Sequence, residues 1–577
     1  MTTDEPRAGR PNILLILTDQ LRYPPAYESE ELAGYREEHC AGQESLRSNG
    51  ISFTRHYPIA AACAPSRASL LTGQYPSLHG VTQTDGVSKA ADGDEMFWLA
   101  PDTVPTMGDW FRAGGYRTYF KGKWHASHAH LEAEDGKGFL LSIDDEGNQI
   151  EDNIETYLQA DLLDDYGFSE WVGPEPHGLG PHNTGTMKDP FTADETIALL
   201  ERLGAEESDE PWLTVCSFLN PHDDSLFGAI ALKQGLRYHP STVPHVAQAP
   251  THEEDLSTKP SCQQSYTDTW ARILAPQPWI ETHLKFYYQV QATVDEQISR
   301  VLDALRASGA YENTIVVFSS DHGDLQGAHG GMHEKWHCAY DEALRVPFYV
   351  SSPLLPEGPR TLNVPTSHAD LIPTLLGLAG IDQNTAKTKL QEDHTEAHPL
   401  VGRDLSDAIR TSEPGVPAVP ILFTTDDEIS EGSMRSPSPF QRVAHRLNAF
   451  HTVTQPNHVE TVIAEVGVDG EQHIVKYSRY HDNQQFWTVP AEHDERWEGD
   501  KEPVTYTEPE PDEYEMYDIT LDPNEERNLA HPTHADDATR ALQQTMHELL
   551  LEQLASKRLT PTAGERPGYR PPAIASQ

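Results

Sequence analysis

The chain has 577 residues, 37% of them hydrophobic and 8% aromatic, which is enough apolar material for one large domain and one smaller domain. It carries 91 acidic residues against 42 basic ones, so its formal net charge is −49. A surface of that sign repels phosphate backbones and anionic lipids, and we therefore expect no nucleic-acid partner and no membrane partner.

Two interpretations of the acidic surplus stay open, namely a solvated shell that keeps the protein soluble and adaptation to high salt, where charge repulsion is screened. The apolar run at residues 13–17 is too short for a signal peptide or a membrane span, so we predict a cytoplasmic protein. The five cysteines, at positions 40, 63, 216, 262 and 338, are scattered and contain no CxxC pair, which predicts no disulfide framework.

Short apolar runs between polar residues recur along the chain and predict buried parallel strands. They are PNILLILTDQ (11–20), PWLTVCSFLN (211–220), NTIVVFSSDHGD (313–324) and RVPFYVSSP (345–353). Between them, TVPTMGDWFRAGG (103–115) and VQATVDEQISRVLDALRASG (290–309) have the apolar spacing of helices. Alternation of strands and helices predicts an α/β fold with a large, mostly parallel central sheet flanked by helices.

The composition changes towards the C-terminus. Residues from about 411 to 440 are rich in Pro, Ser, Asp and Glu, and we predict a linker or surface loop there. Two strand-like runs (HVETVIAEVG and EQHIVKYSRY), an amphipathic helix near ATRALQQTMHELLLEQLASK and a Pro-rich tail follow. We therefore predict a large α/β domain over residues 1–410 and a smaller α+β domain over residues 411–577.

Acidic residues follow two of the predicted strands, Asp19 after the first and Asp321 after a later one. In parallel sheets ligands bind beyond the carboxyl ends of the strands, so both residues are expected at one edge, although loop capping is the alternative for each alone. In AACAPSRASLLTGQYP (61–76), Pro65 and Gly73 predict the start and end of a helix. Cys63 would then lie at a helix N-terminus, either as a reactive group or as a structural thiol.

The segment CAPSR (63–67) is identified as the C-x-P-S-R signature of the sulfatase family, within the alkaline phosphatase superfamily. Further segments resemble that family in the same order, from about residue 11 to 530, namely PNILLILTDQ, GYRTYFKGKWH, FLNPHDD, SSDHGDLQGAHG with HEKWHCAYDEALRVP, and EMYDITLDPNEERNL. The resemblance implies an alkaline phosphatase-like fold and a sulfuric ester hydrolase of the arylsulfatase type, acting on a small-molecule or carbohydrate sulfate ester. The alcohol, whether sugar, aryl or alkyl, is left open.

The resemblance also implies that Cys63 is oxidised to Cα-formylglycine by a formylglycine-generating enzyme that recognises Cys63, Pro65 and Arg67. The hydrated aldehyde has two hydroxyls on one carbon. One attacks sulfur and displaces the alcohol, and the other loses its proton so that the C–O bond breaks and sulfate leaves. Such a step needs no attack by water at a crowded sulfur.

The family pattern carries over to individual positions of this chain. It implies a metal site, with Ca²⁺ as the first expectation and Mn²⁺ or Mg²⁺ as alternatives, at Asp19, Gln20, Cys63, Asp321 and His322. Many sulfatases have a second acid in place of Gln20 and an Asn in place of His322, so this site is less anionic. The predicted catalytic residues are Cys63, Arg67, Lys123, His125, His222 and Lys335. His222 is expected to protonate the leaving oxygen, and His329 is a weaker candidate that would support the ligands from behind.

Three alternatives accompany this interpretation. A formylglycine-dependent phosphonate monoester or phosphodiester hydrolase is similar in carrying Asp-Gln at residues 19–20. A catalytically silent binding protein would retain the fold, although the complete catalytic set argues against it. Residues 333–337 fit the HExxH pattern of zinc proteases, but Gly330 and Gly331 just upstream predict a loop there instead of a helix.

Overall fold

The computed structural model describes residues 9–86, 89, 91, 93, 96–133, 138–176, 180–226, 242–273, 280–413, 415–429, 452–498, 503–562 and 568–569. Numbered in chain order, its strands are β1 Asn12–Asp19, β2 Gly50–Phe53, β3 His56–Tyr57, β4 Trp98–Leu99, β5 Arg117–Gly122, β6 Trp212–Pro221, β7 Thr314–Ser320, β8 Phe348–Ser351, β9 Arg360–Leu362, β10 Thr366–Ser367, β11 Ile421–Thr425, β12 His458–Val468, β13 Glu471–His481, β14 Asp494–Arg496, β15 Val504–Tyr506, β16 Glu513–Asp518 and β17 Gly568–Tyr569. Its α-helices are Glu30–His39, Ala41–Ser48, Cys63–Thr72, Pro76–His79, Met107–Ala113, Glu151–Ala160, Gly185–Ala205, Ser261–Ile273, Ile280–Ala307, Ala328–Gly331, Asp341–Leu344, Leu371–Ala379, Gln383–Leu390, Ser406–Ile409 and Asp537–Lys557.

A seven-stranded sheet in the order β5-β6-β1-β7-β8-β2-β9 forms the centre of the molecule. β1 pairs in parallel with β6 on one side and with β7 on the other, and β5 pairs in parallel with β6. β8 runs against both of its neighbours, β7 and β2. The predicted α/β fold with a mostly parallel sheet is therefore confirmed.

The apolar runs are continuous because the sheet is covered on both faces. Along β1, Ile13 and Leu15 belong to one hydrophobic cluster, and Leu14 and Ile16 belong to another. One face also packs residues of the helices Cys63–Thr72, Met107–Ala113 and Leu371–Ala379, and the other packs Gly185–Ala205 and Ile280–Ala307. The helix predicted at 290–309 is the second part of that last helix.

A second, antiparallel sheet in the order β11-β12-β13-β16 forms the C-terminal part of the protein. The helix Asp537–Lys557 packs on it through Met546 and Leu550, which share a hydrophobic cluster with Val462 and Tyr477. A smaller C-terminal α+β unit is thus present. Its predicted boundary at residues 410 and 411 falls between the helix Ser406–Ile409 and β11, and it stays a prediction.

The linker predicted over residues 411–440 is wrong at its centre. Ile421–Thr425 forms the buried strand β11, whose five residues pair antiparallel with β12. The polar residues on either side favour a loop, but Ile421, Leu422 and Phe423 are buried when this segment pairs with a strand about 40 residues later. That burial stabilises a strand here instead of a loop. Residues 430–440 of that stretch and most of the Pro-rich tail lie outside the described residues.

Within the described ranges, no helix has the length and apolar content that crossing a membrane would require.

Candidate active site

Four adjacent parallel strands end at one edge of the central sheet and bring polar residues together there. Asp19 is the last residue of β1, and Asp321 follows β7 directly. Lys123 follows β5, and His222 follows β6. This edge is where open parallel sheets bind their ligands, and the structure brings Asp19 and Asp321 together there as the strand pattern predicts, along with Lys123 and His222.

Cys63 lies at the same edge as the first residue of the helix Cys63–Thr72. Gly73 ends that helix in the left-handed conformation, with φ of 66°, so both predicted helix ends are confirmed. The thiol is 2% exposed. Its Sγ atom lies 3.1 Å from Nε2 of His322 and 3.7 Å from Oδ1 of Asp19.

The buried side chains of Asp19, Cys63, Asp321 and His322 form a candidate metal site, with one ligand atom from each within 4.8 Å of the others. Nδ1 of His322 donates to the carbonyl oxygen of Gly323 at 2.9 Å, which directs Nε2 towards the other three residues. Two carboxylates with one imidazole fit a divalent cation. The oxygen ligands suit Ca²⁺ or Mg²⁺, and the nitrogen also suits Mn²⁺.

Arg67 is buried and connects the ends of the four strands. Its Nε donates to Oδ2 of Asp321 at 2.9 Å and its Nη2 to Oδ2 of Asp19 at 3.1 Å. Its Nη1 donates to the carbonyl oxygen of Lys123 and to Oγ of Ser217, each at 2.8 Å. The guanidinium therefore balances both carboxylates and fixes their separation, since its five donors lie in one rigid plane.

Lys123 reaches the same carboxylate from β5, donating from Nζ to Oδ2 of Asp19. Burial raises the pKa of Asp19, but the charges of Lys123 and Arg67 outweigh it and hold that pKa well below its usual range. Burial likewise opposes the charge of Lys123, and Asp19 outweighs it to raise the pKa of the ammonium group. Asp19 is thus an anion and Lys123 a cation at neutral pH.

His125 stands beside Cys63, and its Nε2 is 2.6 Å from Oδ1 of Asp85. Burial opposes protonation of this ring, but Asp85 outweighs burial and raises the pKa of His125. Oε1 of Glu175 accepts the backbone N–H groups of Trp124 and His125 at 2.8 and 3.0 Å. It thereby holds a turn in which His125 has a φ of 48°. Asp85 and Glu175 were missed by sequence reasoning, because neither lies in a recognisable motif.

Gln20 follows Asp19 and lies between two further charged groups. Its Oε1 accepts from Nζ of Lys335 at 2.7 Å, and its Nε2 donates to Asp324 and to Oγ of Ser225, the latter at 3.1 Å. The structure therefore brings Gln20 and Lys335 to the site together. Metal ligation by Gln20 stays a prediction.

Lys335 is 2% exposed and also donates to Oε2 of Glu334 at 3.1 Å. Burial opposes its charge, but the acidic groups around it, including Cys63 and Glu334, raise its pKa. Burial and then Glu334 raise the pKa of Asp324 to about 7. The buried carboxylates of Asp324 and Glu334 beside Lys335 were also not predicted from the sequence, although both residues lie within the motifs quoted above.

His222 lies among the cations of the site. Burial and the nearby charge of Lys123 lower the pKa of His222 well below its usual value. Its ring is therefore neutral at pH 7 before substrate binds, and it can offer one N–H as a donor. The end of β6, just before His222, is held by Asp189, which accepts the N–H groups of Leu219 and Asn220 at 2.7 and 3.0 Å.

A comparison with models of protein families shows which family has this arrangement of residues. The family model described as Sulfatase matches residues 11–381, a span that contains every predicted site residue. The chain belongs to the sulfatase family.

Individual relatives of this sulfatase are distant in sequence. It is 29% identical over 421 residues, 71% of its length and 67% of the relative's, to an ulvan-active sulfatase of Formosa agariphila. The solved structure of BT4656 in complex with its substrate D-glucosamine-2-N,6-O-disulfate is similar with a TM-score of 0.57 and 17% identity, covering 95% of this chain and 98% of that one. The phosphonate monoester hydrolase of Agrobacterium radiobacter has a TM-score of 0.56 and 21% identity, covering 95% and 96%. The shared feature is the alkaline phosphatase-like fold.

Two further residues lie away from the site of this sulfatase. Lys121, two positions before Lys123, is buried and pairs with Glu195 at 3.3 Å. His329 contacts Glu254 at 3.1 Å and Glu342 at 3.4 Å instead of a predicted ligand. The expected support of the ligands by His329 is therefore wrong.

The zinc-protease alternative is also excluded by the backbone. Glu334 and His337 have φ values of 68° and 58°, so residues 333–337 form no helix. The ring of His333 lies 4.3 Å from that of Trp270, whereas Nδ1 of His337 lies 3.3 Å from the carbonyl oxygen of Asn457. The two imidazoles contact different surroundings, and the loop between them delivers Lys335 to the sulfatase site.

Proposed function

We propose that this sulfatase hydrolyses sulfate monoesters, converting R–O–SO₃⁻ and water into R–OH and hydrogen sulfate, and that it uses a formylglycine formed from Cys63. The observation that carries the proposal is the position of Cys63. It lies against the buried ligand set of Asp19, Asp321 and His322, at the one sheet edge that also holds Arg67, Lys123 and Lys335.

Asp19, Asp321, His322 and the side chain at position 63 would hold the divalent cation, Ca²⁺ in the first instance and Mn²⁺ or Mg²⁺ as alternatives. Such a cation supplies positive charge where negative charge develops on the sulfuryl oxygens, and the hydrated aldehyde supplies the attacking oxygen. Lys123 and Lys335, both buried, add two ammonium groups beside the same position. Arg67 keeps the two carboxylates apart and in register.

Two histidines take the proton-transfer roles. His222 is neutral in the resting site and donates a hydrogen bond to the oxygen of the departing alcohol, where a negative charge on that oxygen draws the proton across. His125 keeps its Nε2 on Asp85. Its Nδ1 is therefore the atom that exchanges a proton with the side chain at position 63.

A sulfated carbohydrate is the first substrate class to test. The ulvan-active relative and the structure bound to D-glucosamine-2-N,6-O-disulfate support this choice. Aryl and alkyl sulfates stay as alternatives. Modification of Cys63 by a formylglycine-generating enzyme and a cytoplasmic location are also proposals, tested by mass spectrometry of the native protein and by fractionation of the host.

A second candidate is hydrolysis of phosphonate monoesters or phosphodiesters. The Asp19–Gln20 pair favours it, and a phosphonate monoester hydrolase shares the fold. These substrates also carry a single negative charge, so the cations of the site suit them equally well.

Steady-state kinetics on 4-nitrophenyl sulfate, 4-nitrophenyl phenylphosphonate and bis(4-nitrophenyl) phosphate separate the candidates. We expect the highest kcat/KM for the sulfate, and loss of all turnover in Cys63→Ala. The tryptic peptide that contains Cys63 must show the mass of the aldehyde in the active sample. A higher kcat/KM for either phosphorus ester selects the second candidate. Absence of turnover in fully modified protein favours the silent binding protein.

A further inference from the structure

The turn that leads into Cys63 is held by the C-terminal sheet. The backbone N–H of Thr424 donates to the carbonyl oxygen of Ile59 at 2.9 Å. The hydroxyl of Thr425, the last residue of β11, donates to the carbonyl oxygen of Ala61 at 2.6 Å. The polar groups just before the reactive residue therefore find their partners more than 360 positions later in the chain.

Asp427 completes this contact on both sides of Cys63. Its Oδ2 accepts the N–H of Ala62 at 3.3 Å and the N–H of Thr84 at 3.2 Å. The hydroxyl of Thr84 in turn accepts the N–H of Ala64 at 3.2 Å. The Asp427 carboxylate thus binds Ala62 directly and Ala64 through Thr84, so it fixes the backbone on both sides of Cys63. Thr84 is followed by Asp85, the hydrogen-bond partner of His125.

Asp427 is itself held in place by a buried ion pair with Nζ of Lys89. The same ammonium donates to Oε1 of Gln83 at 3.0 Å and to the carbonyl oxygen of Glu428 at 2.9 Å. Both partners of the pair are at most 3% exposed. The charge of Asp427 is balanced away from the site, so its Oδ2 is left to the two backbone donors.

We propose that Asp427 is a positioning residue of the active site, which fixes the backbone at Cys63 through Ala62 and Thr84. It acts from the C-terminal sheet, outside the segment of residues 11–381 that matches the family model. The inference rests on the proposed function, because it assumes that turnover depends on where the side chain at position 63 stands. Displacement of a reacting group by about 1 Å can cost roughly 100-fold in rate.

The test compares two double variants that both lack the ion pair. Lys89→Met with Asp427→Asn keeps an oxygen that accepts the two N–H groups, and Lys89→Met with Asp427→Leu removes it at similar volume. We expect kcat of the leucine variant to be roughly 100-fold below that of the asparagine variant, with KM within about 3-fold. Both kcat values are taken per formylglycine, measured by mass spectrometry. Equal kcat values overturn the inference.

A second pair keeps the test decisive where the leucine variant does not fold. Thr84→Val removes the acceptor for the N–H of Ala64 without changing the shape, and Thr84→Ser keeps it. We expect kcat of the valine variant to be about 10-fold below that of the serine variant, and equal values count against the inference.

Asp518→Asn, which removes a buried carboxylate paired with His473 in the same sheet, serves as control and should leave kcat unchanged. A wild-type protein inactive on all three esters contradicts the proposed function, whereas an active one with equal variants contradicts this inference alone.

Discussion

The Nζ atom of Lys335 lies 2.7 Å from Oε1 of Gln20, the residue that follows Asp19 at the end of β1. The amide nitrogen of Gln20 is occupied by Asp324, so the amide oxygen faces the lysine. This hydrogen bond holds Lys335, which lies in a loop about 315 positions later in the chain, at the end of the strand that carries Asp19. The loop needs no regular structure of its own to place this charge.

Removal of that charge is the first prediction. Lys335→Met should lower kcat/KM for a sulfate ester roughly 100-fold, because a buried cation beside the developing negative charge is lost. Lys121→Met is the matched control, since Lys121 is also buried and ion-paired but contacts Glu195 instead of the site. Steady-state kinetics of both variants check the prediction, and equal losses would contradict it.

His222 should matter most for poor leaving groups. If it protonates the departing oxygen, His222→Ala should slow hydrolysis of an alkyl sulfate by roughly 100-fold or more and that of 4-nitrophenyl sulfate by less than about 10-fold. Nitrophenolate leaves without a proton, so the aryl ester is the internal control. The measurement is kcat for both esters in both proteins, and an equal loss on the two would show that His222 does not protonate the departing oxygen.

The nitrogen ligand should influence the choice of metal. His322→Asn replaces the imidazole by an amide oxygen, and we expect Mn²⁺ affinity to fall about 10- to 100-fold while Ca²⁺ affinity changes much less. Titration calorimetry on the metal-free variant and wild type checks this without reference to turnover. Unchanged affinity for both ions would show that position 322 is not a ligand, and an equal loss for both would contradict the predicted selectivity.

His329 should make stability depend on pH. Burial opposes its protonation, but Glu254 and Glu342 outweigh burial and raise its pKa from 6.5 to about 9. The folded protein therefore binds one more proton than the unfolded chain between these values. This contribution to the unfolding free energy is complete below pH 6.5 and is lost as pH rises through 9, by up to about 3 kcal/mol.

The measurement for His329 is urea unfolding of the wild type and His329→Gln from pH 6 to 10. Other groups titrate over the same range, so the difference between the two proteins is the quantity to follow. That difference should shrink with rising pH, and a constant difference would show that the imidazole is not charged.

The net charge of −49 predicts a dependence of stability on salt. The Debye length falls from about 10 Å at 0.1 M to about 3 Å at 1 M, so repulsion between the excess acidic groups is screened. We expect Tm to rise between 0.1 and about 1 M KCl. Sucrose at equal osmolality is the control for solvent exclusion. An unchanged Tm in KCl would contradict adaptation to high salt and leave a solvated shell as the interpretation of the acidic surplus.

Local signals were sufficient for the parts of the site that lie on regular elements. β1 and β7 are continuous apolar runs because they are buried on both faces. The first polar residues after each run therefore mark the strand ends, at Asp19 and just before Asp321. The helix at Cys63 is delimited by Pro65 and Gly73 in the same way. The known order of motifs then added Lys123, His222 and Lys335.

The supporting carboxylates could not be found in this way. Asp427, Glu175 and Asp189 accept backbone N–H groups, which every residue except proline provides, so nothing in the sequence marks their partners. Asp427 also follows β11, a strand whose apolar residues are flanked by linker-like composition. Its contact with Ala62 spans 365 positions and becomes visible only when the second sheet is placed against the first.

Burial of the thiol at 2% exposure has a consequence for timing during synthesis. If Cys63 is converted to formylglycine as proposed, the modifying enzyme must reach it before the site folds around it, and His322, which contacts the thiol, emerges 259 residues later. At about 5–20 residues per second, translation of that interval takes roughly 10–50 s. Under the proposed function, the time needed to synthesise the chain between Cys63 and His322 is therefore an interval in which residue 63 is still accessible to the modifying enzyme.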